Sequence, residues 1–274
     1  MVHTDRIREQ LREKRAYVWT AFSFLIFFLL LGLVTETGYR IFSTLGLTDA
    51  GTVKIVLPDT NMQVYHNDTY VDQSSEQGEI ITLNNLPTGE HSIIVARQGS
   101  YPWAKKFKLT ADETRVLEPF LIRHKLPQRT VDSSADHFAE LVSEVQRTQV
   151  PTKESPLSSP DQPVLVWVEN NVIQAQWEGD LDNAPHSFCV DSEQCLKSIS
   201  ALPSDEPIKN ITFYHNRSDV ILFSSGNGIY ALELVASGAP SFQPIFEGTD
   251  PNFIKTGTTT IAVLDDGQLF EVGL

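Results

Sequence analysis

Three hydrophobic rhythms divide the chain. The first is a block with no polar beat: Ala16–Thr35 runs twenty residues without a charge. A helix rises about 1.5 Å per residue, so such a block spans roughly the 30 Å of a bilayer's hydrocarbon core. Phe22, Phe24, Leu25, Ile26, Phe27, Phe28, Leu29 and Leu30 leave no polar face, which argues against a half-buried core helix. Tyr17, Trp19 and Tyr39 stand at its ends, where amphipathic rings favour the membrane interface. The second rhythm has a period of two. Between residues 51 and 122 it is cut by turn residues into six or seven short strands: TVKIVL, MQVY, EIITL, HSIIVA, KKFKL and TRVLEPFLI. The third is helical, with Phe138, Leu141, Val142 and Val145 at i, i+3, i+4 and i+7 and Ser134 as the expected cap.

The strand-rich segment 51–122 resembles a PEGA domain, a small β-sandwich of bacterial and archaeal surface proteins. The resemblance rests on TVKIVLP, on Val64-Tyr65-His66-Asn67-Asp68 at the first hairpin and on Leu86-Pro87-Thr88-Gly89-Glu90-His91 before a long strand. Gly99-Ser100-Tyr101-Pro102-Trp103 and two closing strands complete it. Thr69 stands where the family usually has glycine, and Pro87-Thr88-Gly89-Glu90 replaces its eponymous tetrapeptide. The resemblance implies a sandwich fold and an envelope-associated binding or spacer role.

Residues 123–163 combine the amphipathic helix with a Pro/Ser-rich stretch, read as a semi-rigid connector or a strap over the surface. From residue 164 to 274 one design recurs three times: alternating strand, tight polar turn, alternating strand. VLVWVENNVIQAQW, DVILFSSGNGIYALEL and TIAVLDDGQLFEV carry it, with turns expected at Asn170-Asn171, Asn227-Gly228 and Asp266-Gly267. The spacing is similar to that of propeller blades, but three hairpins are too few to close a ring of four or more blades. An incomplete propeller-like stack of antiparallel sheets is expected. The fold class is therefore mainly β, with one N-terminal transmembrane helix.

Charge fixes an orientation. Arg6, Arg8, Arg12, Lys14 and Arg15 precede the apolar block, whereas Arg40 alone soon follows it. By the positive-inside rule residues 1–15 stay cytoplasmic and everything after Glu36 is extracytoplasmic. Val34-Thr35-Glu36 makes a poor cleavage site, so the block reads as an uncleaved signal anchor. The net charge is −14, and the tail holds five basic and three acidic residues, which leaves 16 basic and 32 acidic beyond it. That surface excludes a nucleic-acid binder, because phosphate recognition starts from excess Lys and Arg.

Candidate chemistry is sparse. Cys189 and Cys195 enclose five residues, and two nearby thiols outside the cytoplasm are expected to form a disulfide. The seven histidines show no metal-ligand spacing and are expected to be solvated surface imidazoles. Asp180, Asp182 and Asn183 faintly resemble a calcium loop, but a polar turn explains them better. No nucleophile elbow and no phosphate-binding glycine loop occurs, and no metal or cofactor is implied. Tyr101, Trp103, Lys105 and Lys106 are the candidate ligand contacts, an aromatic and basic platform for a glycan; packing of Trp103 in the core is the competing reading. Trp167 and Trp177 are expected to pack.

The expectation is a single-pass membrane protein whose non-catalytic extracytoplasmic part binds or scaffolds a wall polymer, a surface layer or another protein. An extracytoplasmic hydrolase of propeller type and a sensor relaying through the anchor are the alternatives. Its partners are the bilayer, through Ala16–Thr35, and a wall polymer or surface protein, with the oligomeric state open.

Overall fold

A computed structural model describes residues 49–191 and 194–274. The expected anchor Ala16–Thr35 and its charged flanks lie outside the described residues. Among these no helix is long and apolar enough to cross a membrane.

Alternation becomes strand throughout. In the first module β1 (Ala50–Val56) lies between β4 (Ile80–Pro87), antiparallel, and β7 (Thr114–Leu117), parallel. A second sheet runs β3 (Thr69–Gln73), β2 (Gln63–His66), β5 (Gly89–Ala96) and β6 (Trp103–Leu109), all antiparallel. The two sheets face each other. Val53, Ile55 and Ile81 of the first share a core with Val64, Ile93, Val95, Phe107 and Leu109 of the second. Asn67 and Asp68 turn β2 into β3 at φ 47° and 61°, which the Asn-Asp pair accepts at low cost.

The expected hairpins form the middles of three four-stranded antiparallel sheets. Sheet III contains β9 (Leu157–Ser158), β10 (Val164–Glu169), β11 (Val172–Trp177) and β12 (Ser198–Pro203). Sheet IV contains β13 (Ile208–Phe213), β14 (Val220–Ser225), β15 (Gly228–Glu233) and β16 (Phe242–Glu247). Sheet V contains β17 (Asn252–Lys255), β18 (Thr260–Asp265) and β19 (Gln268–Gly273), and its fourth strand is β8 (Gln128–Thr130) from far upstream. Asn170-Asn171 and Asp266-Gly267 turn as expected, all with positive φ. At the middle hairpin the turn sits one residue earlier: Gly226 takes φ +55°, and Gly228 already begins β15.

Residues 123–163 are not a free connector. They supply β8 and β9, and Val168 N donates to Pro151 O at 2.9 Å, so the proline-rich stretch is strapped to sheet III. Between them α1 (Phe138–Arg147) lays Phe138, Leu141 and Val142 against Ala262 and Leu269 of sheet V. Ser134 does not cap this helix, which starts four residues later. Its N–H and hydroxyl both donate to Asp132 Oδ1, at 2.8 and 2.7 Å.

Sheet IV sits at the centre. One face packs on sheet III through Ile211, Phe213, Ile221, Phe223 and Leu232. The other, through Val220, Leu222, Ile229 and Ala231, faces a core shared by the first module and by Phe253, Ile261 and Val263 of sheet V. Every residue of β14 is consequently buried. The Gln243 side chain fastens the two modules, accepting from Ile122 N at 2.7 Å and donating to Phe120 O at 3.2 Å.

Candidate functional site

β6 is the outer strand of its sheet, and its core-facing residues run toward sheet IV. Lys105 lies on this side and donates to Glu233 Oε2 of β15 at 2.8 Å, both side chains being about nine-tenths buried. Beside this bridge a cleft of about 440 Å³ opens between the modules. Its walls are β6 and β7 on one side and, on the other, the turns around Pro185–Cys189, Asn216–Asp219 and Val235–Ser237. The size is ordinary for a small-molecule site.

Besides Lys105, both arginines of these walls are already engaged. Arg115 Nε donates to Glu113 Oε1 at 2.8 Å, and its guanidinium stacks on the Phe107 ring, 5.1 Å from the centroid. Arg217 forms a two-point bond to Asp219 and also donates to Glu118 O at 2.6 Å, tying the sheet IV turn to the first module. Burial alone would lower the Arg217 pKa, but the Asp219 carboxylate more than offsets it and holds the guanidinium charged. Burial would raise Glu113, yet the Thr110 N–H and Arg115 keep its carboxyl below the ordinary range. His186, exposed on the wall, has its pKa lowered by the surrounding protein and by Arg115.

Of the four expected ligand contacts, three meet at this cleft. Lys106 is exposed there, Lys105 is spent on Glu233, and Trp103 is only 1% exposed, its ring filling the core. Tyr101 is elsewhere, edge-on to His124 with centroids 4.5 Å apart. An open aromatic platform is therefore not formed. Alternation explains the outcome, since a strand that aims Trp103 inward aims Lys105 inward too. Asn216, Arg217, Ser218 and Glu233 complete the walls; Asn216-Arg217-Ser218 matches a glycosylation sequon, but that pattern does not point to a cleft.

Cys189 and Cys195 stand at disulfide distance, Sγ–Sγ 1.99 Å, closing the loop behind His186. The expectation of solvated histidines fails at three positions, one of them His215, which stacks on Tyr214 with its Nε2 buried. His66 and His91 are buried on neighbouring strands of the first module, with His66 Nε2 and His91 Nδ1 2.8 Å apart. His91 Nε2 lies 2.7 Å from Pro87 O; a carbonyl only accepts, so that nitrogen carries the proton. Among the described residues no group of three His, Cys, Asp or Glu is arranged to hold a metal ion. Asp180 and Asn183 bound a single helical turn, and Asp180 O accepts from Trp177 Nε1 at 2.9 Å. No protein-family model matches the sequence, and no curated protein proves similar to it.

Proposed function

We propose that this is a membrane-anchored extracytoplasmic binding or scaffolding protein of the cell envelope, non-catalytic, contacting wall polymer or another surface protein. The first module reads as a PEGA-like sandwich and the second as an incomplete, propeller-like stack of three sheets, strapped by β8 and β9. The anchor is Ala16–Thr35, with the tail before it cytoplasmic. The observation that carries a binding role is the cleft at the module junction, whose ionisable groups act as clamps. Lys105–Glu233 and the Arg217 bond to Glu118 O join the walls, and Arg115–Glu113 and Arg217–Asp219 engage the remaining guanidinium groups locally.

Two measurements test the proposal. Protease added to intact bacterial cells expressing the full chain should degrade the large C-terminal part and spare the tail; protection until lysis would reverse the topology. Detergent-solubilised full chain should co-sediment with isolated envelope material, and its failure to do so would remove the binding role.

A further inference from the structure

Two polar atoms in the walls of the cleft are buried and unsatisfied. Trp103 Nε1, a donor, and Gln162 Oε1, an acceptor, have no hydrogen-bond partner. A buried donor or acceptor left unpaired is costly, so native structures rarely keep one without a reason. Here one of each sense belongs to the same cleft. Around them are further uncharged groups with hydrogen-bonding capacity to spare. The side chains of Ser187, Asn216 and Ser218 make no hydrogen bond among the described residues, although all three line the cleft. The buried cations behave oppositely, while Lys106, Glu118, Asp161 and His186 stand exposed at the rim. Lys105, Arg115 and Arg217 are each neutralised within the protein.

The division tells against an ionic ligand. A charged ligand seated past the rim would have to break a buried pair and strand its partner, which costs more than the new contact returns. An uncharged ligand leaves the pairs intact and uses the spare donors and acceptors. Hydroxyls both donate and accept, matching a wall that offers hydroxyls and an amide together.

We propose that the cleft binds a neutral saccharide segment, held by Ser187, Asn216 and Ser218 between the intact ion pairs. This rests on the binding role proposed above and names its ligand class. Lys106, exposed at the rim, contributes nothing essential.

The test uses the full chain in micelles of a detergent without a sugar headgroup, titrated with chitotriose, cellotriose and maltotriose, and with polygalacturonate as the anionic counterpart. At least one neutral trisaccharide should bind saturably, with the same affinity at low and high salt. Asn216→Ala and Ser218→Ala should each weaken that binding by about twofold to tenfold, the value of one neutral hydrogen bond. Circular dichroism and the thermal midpoint of both variants should match the parent, and Lys106→Gln should bind like the parent. Failure of all three neutral probes, or binding of polygalacturonate that disappears with salt or with Lys106→Gln, would overturn the assignment. If the Asn216 and Ser218 variants lose nothing while envelope co-sedimentation persists, the cleft assignment falls and the binding role stands.

Discussion

The two modules solve the same problem, covering a sheet, in different ways. In the first, two sheets cover one another, and each strand keeps a buried and a solvated face: β5 and β6 alternate almost perfectly. In the second, sheets are layered, and the middle one is covered on both sides, so β14 is buried at every position. Both place polar groups inside: the first module buries the His66–His91 pair and Glu113–Arg115, and sheet IV buries Asn210, Ser224, Glu233 and Gln243 among its aliphatic and aromatic side chains. Burial on two faces makes sheet IV the element on which both modules depend.

The strongest way to break this comparison is Leu222→Ala. Leu222 is fully buried in the core shared with the first module. Its truncation should cost about 2–5 kcal/mol. Hydrogen exchange should report lost protection in β5 as well as in β14; unchanged protection in β5 would show that the modules are energetically separate. Next comes the bridge between them. Lys105→Met leaves Glu233 buried without its cation and should cost roughly 3 kcal/mol in a denaturant titration. Arg129→Met, which removes an exposed partner of Glu271, should cost less than about 1 kcal/mol. Equal losses would mean that the interface is as wet as the surface.

A smaller effect tests the turns of the second module. Asn171 has φ 62°, so Asn171→Ala should cost about 1 kcal/mol and Asn171→Gly close to nothing. The last prediction concerns acid. Glu113 is held below its ordinary value of 4.5, so its contribution is complete above that pH and lost as pH falls through the folded value. Glu113→Gln should therefore lower stability at neutral pH and flatten its decline in acid, as read from denaturation midpoints across pH.

Much of the fold was legible because it is local. A hairpin needs only an alternating run, a turn tolerant of positive φ and a second run, and all three central hairpins supply these in consecutive residues. The sandwich strands and the amphipathic face of α1 follow from the same short-range periodicities. The cleft was much less so. Trp103, Lys105 and Lys106 drew notice for their chemistry, but alternation gives the side on which a residue lies and not what will be waiting there. Glu233, which engages Lys105, lies 128 residues away.

What the sequence determined by itself, then, is the uncharged apolar block, the acidic exterior and the set of hairpins. Each follows from composition or from hydrogen bonds that close within a few residues. Tertiary structure alone decided that β8 would complete sheet V, that sheet IV would be covered twice, that two histidines would meet in a core and that a cleft would open at the junction. Strand edges offer the same backbone groups whatever their side chains, and buried pairs form between residues far apart in the chain. Their partners are therefore chosen by packing, which no short stretch of sequence encodes.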